Sequence, residues 1–153
     1  MKRSTILLAS FILALAAFGA AQTVTYQYPA YADPCQNPAI LKLGTPVHVT
    51  TATTTELVPV STTKPNAIVY VCGYNLTSVG TGVITFKTGT KVSTACDTTP
   101  TSLTGSWLIP TATNQSTTGD RGVQFAGIAG GELCLTTASG VTSVDGYINY
   151  VQQ

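Results

Sequence analysis

The sequence predicts an all-β chain: a single β-sandwich, of jelly-roll or immunoglobulin-like type, stapled by disulfides behind an N-terminal signal peptide. Three observations predict it. Helical periodicity is absent after the first two dozen residues, while β-branched and aromatic runs recur between turn residues at the roughly 8–12-residue spacing of sandwiches. Threonine, which fits a pleated surface, is the commonest residue of the chain beyond its leader. Cysteine occurs four times, an even count that in an exported chain favours a disulfide framework.

The leader comes first. In MKRSTILLASFILALAAFGAAQ a basic pair, Lys2 and Arg3, precedes the apolar run Ile6–Phe18, and Gly19-Ala20-Ala21 supplies the small residues of a cleavage site. The run is too short to span a bilayer comfortably. It predicts export with residues 1–21 removed and no membrane span afterwards, placing the product in a periplasm, on the cell surface or outside the cell. No cysteine follows the apolar run, which argues against a lipid anchor.

Residues 22–34 then form an extended N-terminal segment, QTVTYQYPAYADP, in which Tyr26, Tyr28 and Tyr31 cluster. Such an arm is a candidate for strand donation to a neighbour's sheet, against the alternative of a loose leader. The sandwich itself is placed at 35–153. DPCQNP around Cys35 is a turn cluster. TPVHV and TELVPV alternate like strands, with Pro46 and Pro59 marking them as edge or interrupted strands.

IVYVCGYNLTS, with Cys72 in its middle, is the strongest strand and reads as central to a sheet. VGTG turns it into the strand VITFKTG. The stretch TKVSTACDTTPTSLTG around Cys96 reads as loop, SWLIP as a short strand stopped by Pro110, and TATNQSTTGDRG as an exposed polar excursion. GVQFAGIAG, ELCLTT with Cys134, and VDGYINYVQ complete the set, the last two joined like a hairpin through Ala138-Ser139-Gly140.

Composition excludes several functions. Loss of the leader removes Lys2 and Arg3 from the 7 basic residues, leaving five against 6 acidic, net −1 and without clusters. Nucleic acid would need a basic stripe and an anionic membrane a polybasic patch, so neither partner is expected. The glycine pairs in SVGTGV and GIAGGE lack the Lys-Ser/Thr of a phosphate cradle, no G-x-S-x-G elbow is present, and no calcium-loop pattern occurs. The sequons at Asn75 and Asn114 are matches that a Thr-rich chain produces by chance.

The cysteines are separated by 37, 24 and 38 residues with no C-x-x-C, unlike zinc or thioredoxin sites. Similar surroundings suggest Cys72–Cys134 tying two strands and Cys35–Cys96 tying two loops; Cys35–Cys72 with Cys96–Cys134 is the rival, closing shorter loops. Near Cys134 the only charged group is Glu132, which disfavours a thiolate, so the sulfur reads as a staple. His48, the sole histidine, lies between Val47 and Val49 and is expected on the opposite, solvated face. The six acids sit mostly in turns and strand ends, where solvated carboxylates belong. No catalytic residue, metal site or cofactor is therefore expected. Trp107 with tyrosines is the candidate sugar-binding platform, while Tyr70, Tyr74, Tyr147 and Tyr150 are expected in core or cross-strand packing.

IVYVCGYNLTS, TGTKVSTACDTTPTSLTG and GGELCLTTASGVTSVDGYINYVQ, in this order, resemble a family of small, uncharacterised Cys-containing β-sandwich proteins of bacteriophage and environmental bacterial genomes. The resemblance spans roughly residues 35–152, with Cys35, Cys72, Cys96 and Cys134 as the matching cysteines. It implies a compact sandwich, virion-associated or at the cell surface, and carries over no catalytic residue. The leader departs from what a virion protein assembled in the cytoplasm would carry, which favours an exported bacterial protein.

These readings converge on a non-enzymatic exported structural or binding module, adhesin-like or a surface assembly subunit, whose partner is itself, another protein or a glycan. A carbohydrate-binding module, or a virion decoration or receptor-binding protein, is the alternative. A small hydrolase built on convergent acids is a third reading.

Overall fold

A computed structural model of the protein describes residues 33–50, 53–109, 113–117 and 122–153. Ten strands and no helix occur among them: β1 (Leu43–Val49), β2 (Thr54–Val58), β3 (Val69–Gly80), β4 (Gly82–Thr90), β5 (Thr98–Ser102), β6 (Trp107–Ile109), β7 (Thr113–Thr117), β8 (Phe125–Ala126), β9 (Glu132–Thr137) and β10 (Val141–Gln152). The leader and the arm bearing Tyr26, Tyr28 and Tyr31 lie outside the described residues.

The strands form two antiparallel sheets. The first runs β1-β10-β3-β7, with β8 also on β3; the second runs β2-β9-β4-β5, with β6 also on β4. Early strands pair with late ones in both sheets, and β1→β2, β3→β4 and β9→β10 each cross from one sheet to the other. This is a ribbon folded back on itself and rolled, the jelly-roll arrangement, and it settles the choice against the immunoglobulin topology. The expected hairpin between ELCLTT and VDGYINYVQ is instead such a crossing.

The two crossing turns interlock. The Thr81 N–H donates to the Gly140 carbonyl at 2.7 Å, and both Gly80 and Gly140 hold positive φ. A Cβ on Gly140 would stand 1.7 Å from the Thr81 carbonyl oxygen, so glycine is required there by space as well as by φ.

The core lies between the sheets. Val47, Val71, Leu76, Val144 and Ile148 from the first face Leu57, Ile84, Phe86, Leu133 and Leu135 from the second. At its centre four rings meet: Phe86 lies 4.9 Å from Phe125, 5.7 Å from Tyr74 and 5.7 Å edge-on from Trp107. Such tilted and edge-on contacts suit aromatic quadrupoles.

Two strands occupy segments whose sequence reads as loop. β5 (TTPTS) is exposed at every residue, and β7 (TNQST) is polar throughout. Both join their sheets by backbone pairing, β5 to β4 and β7 to β3, which leaves no apolar alternation to read. No described helix is long and apolar enough to cross a membrane.

Candidate functional site: two covered sulfurs and a bare sheet face

The disulfides are Cys35–Cys72 and Cys96–Cys134, and no free cysteine remains. This corrects the pairing by context. In β3 the residues Val69 and Val71 face the core, and so do Tyr74 and Leu76. The change of parity is a β-bulge: Gly73 and Val71 oppose the adjacent residues Asn149 and Tyr150, leaving Cys72 as the extra residue. Cys72 therefore points out of the sandwich, into a small cluster with Cys35 and Val151 under residues 33–40.

Cys134 alternates with the core residues Leu133 and Leu135, so it points out of the opposite sheet. The two strand cysteines are on opposite outsides of the sandwich and cannot meet. Each is covered instead by its own loop.

The first loop is fastened by Asp33, whose carboxylate accepts the Cys35 N–H at 2.8 Å and the Val123 N–H at 3.0 Å.

The second loop is built around Asp97. Its carboxylate accepts the N–H groups of Val92, Ser93 and Thr94 at 2.8–2.9 Å and the Ser93 hydroxyl at 2.8 Å. Those donors, the Thr94 N–H foremost, hold the carboxyl far below the usual carboxylate range. Two non-glycine residues of the same stretch, Cys96 and Thr99, sit at φ 49°. For β-branched Thr99 that conformation is costly and persists only because the surroundings impose it.

A depressed carboxylate contributes stability that is present above the unfolded value near 4 and is lost only as the pH falls through the lower folded value. Amide exchange should therefore stay slow at Val92, Ser93 and Thr94 as the pH drops past 4, and become fast in Asp97→Ala at neutral pH. Fast exchange of these amides in the parent protein would contradict the arrangement.

Glu132 differs from expectation. It is only 3% exposed, not solvated, and its Oε2 accepts the Cys96 N–H at 3.1 Å. Cys96, Glu132 and Cys134 form a buried trio with one ligand atom each within 4.8 Å. With the sulfurs bonded to each other neither is a thiolate, the form that binds zinc.

The other outer surface is the uncovered part of the first sheet. Register places His48, Asp145, Thr77 and Asn114 side by side across β1, β10, β3 and β7. The next row is Pro46, Tyr147, Asn75 and Ser116; the third is Gly44, Asn149 and Gly73. Alternate residues along the same strands, among them Val47, Val144 and Leu76, are buried, so these rows face outward.

His48 occupies the solvated face expected of it, and its Nδ1 lies 2.5 Å from the Asp145 carboxylate directly opposite. That hydrogen bond lowers the Asp145 pKa. Tyr147 was expected to be packed but is 49% exposed at the middle of the face. Tyr74 is buried, and Tyr70 and Tyr150 are partly buried against the cores, as expected. Burial raises the hydroxyl pKa of Tyr74 and Tyr150.

Trp107 packs inward, 5.4 Å from Tyr74, so a large part of its ring is engaged by the core. Sequence singled out the indole and passed over Tyr147; the alternation in VDGYINYVQ was legible, but not which parity faced out.

Comparison of the chain with protein-family models, with curated proteins and with solved structures finds no match in any of the three.

Proposed function

We propose that the chain is an exported, non-enzymatic binding module that displays a rigid surface on or outside the cell. The observation that carries this reading is the pairing of all four cysteines in two buried disulfides, the state an oxidising compartment maintains. Each bond fixes a loop over one outside face of the sandwich, which suits a surface that must stay in one shape beyond the cell. The fold alone implies no function.

Binding is favoured over self-assembly by three of the edge strands, although the fourth, β7, carries no proline. β1 carries Pro46, whose ring stands where a donor would face an incoming strand; β2 is followed at once by Pro59; β5 contains Pro100. These are poor acceptors for a donated arm from Tyr26, Tyr28 and Tyr31.

Non-reducing peptide mapping of protein taken from its native compartment should return Cys35–Cys72 and Cys96–Cys134 alone. Free thiols there would overturn the reading. In sizing at high concentration, the leader-free chain and a chain beginning at Asp33 should both run as monomers. Assembly lost with the arm would instead favour the structural-subunit form.

A further inference from the structure

We propose that the bare face around Tyr147 is a glycan-binding site for a neutral oligosaccharide. The inference rests on the binding-module reading and names its ligand class. Its chemistry is that of a sugar's complement. A half-exposed tyrosine offers an apolar ring to the C–H face of a pyranose while its hydroxyl remains wet. Asn75 lies directly beside it on β3, and Asn149 occupies the next outward position on β10. Side-chain amides both donate and accept, and the Thr77 and Ser116 hydroxyls do the same, which is what hydroxyl groups in unpredictable orientation require.

Charge narrows the class. The only ionisable groups of the three rows besides the Tyr147 phenol are His48 and Asp145, and they are paired with each other. Among the described residues of these three rows no unpaired cation is offered to a uronate, sulfate or phosphate, which favours a neutral glycan. Shape agrees on the β1 side only: the exposed Gly44 stands beside Asn149 with no side chain, while Gly73 on the other side is buried. A Cβ on Gly44 would come within 3.4 Å of the Asn149 amide oxygen, so a side chain there would crowd it.

Area argues against a second copy as the occupant. Four strands at about 4.8 Å and six residue steps at about 3.4 Å, from Ser143 to Asn149, give a face of roughly 400 Å². That is about half of the roughly 800 Å² per partner in a stable protein interface. Trp107, turned to the core, is not the platform.

The test uses the oxidised, leader-free protein against a panel of neutral oligosaccharides (glucan, galactan, mannan and chitin fragments), with heparin and polygalacturonate as anionic arms. Binding to at least one neutral member, weakened about tenfold or more in Tyr147→Ala and in Gly44→Gln at unchanged melting temperature, is the expected result. Trp107→Ala should lower the melting temperature, while the folded fraction keeps its affinity. Absence of neutral-glycan binding, preference for the anionic arms, or affinity indifferent to Tyr147→Ala would overturn the proposal. A binding-module reading that is itself wrong announces itself differently, through free thiols in the native protein.

Discussion

Replacing Cys96 and Cys134 together by alanine is expected to lower the unfolding free energy by about 4 kcal/mol, a third or more of the stability typical of a domain this size. The loop that this bond closes spans 38 residues, and cross-linking it removes chain entropy from the unfolded ensemble. The bond Cys35–Cys72 spans 37, so the entropic contribution of the two is the same. Any difference between the paired alanine variants therefore reports on the native state.

The larger loss is expected at Cys96–Cys134. Without it nothing covalent holds Cys96 at positive φ, and the N–H that satisfies the buried Glu132 carboxylate is no longer fixed against β9. Cys35–Cys72 holds a loop that Asp33 also fastens through two hydrogen bonds. Equilibrium urea unfolding of the two double variants makes the comparison. A loss below about 1 kcal/mol for the Cys96–Cys134 pair, or a larger one for Cys35–Cys72, would contradict this account.

Phe86→Ala should cost about 3–5 kcal/mol, the range for deleting a buried aromatic ring. Phe86 is fully buried in β4, and its ring touches three others contributed by both sheets. Removing it leaves a cavity at the point where the sheets meet and takes away three ring contacts at once, whose energies are not additive. Phe86→Leu, which fills most of the space, should cost appreciably less. The near-ultraviolet signal of Trp107 should weaken in the alanine variant, because the indole stands edge-on to the missing ring. A loss under about 2 kcal/mol would mean that the sheets close over the gap.

Where the sequence carries alternating apolar residues, the fold was legible. β3 lies inside its sheet and β10 is pinned between β1 and β3, as their patterning requires. Pro46 marks an edge strand, and Pro59 follows the end of β2. β5 and β7 escaped because TTPTS and TNQST join their sheets through backbone groups, which every sequence possesses. At the surface, the solvated face of His48 followed from its valine neighbours. Which aromatic is more exposed did not: Trp107 is partly buried against the core, while Tyr147 stands 49% exposed on the sheet face.

The amino-acid order alone determined that the chain is built of strands and that its sulfurs belong in disulfides, since period-two patterning and cysteine context are local properties. Sidedness was decided only in three dimensions. One extra residue at the β3 bulge reverses which way Cys72 points, so the sulfur finds Cys35 under its own loop while Cys134 finds Cys96 on the far side of the sandwich. A single-residue change of parity leaves no mark on composition or spacing, because it is set by pairing with β10, a strand some seventy residues away in the chain.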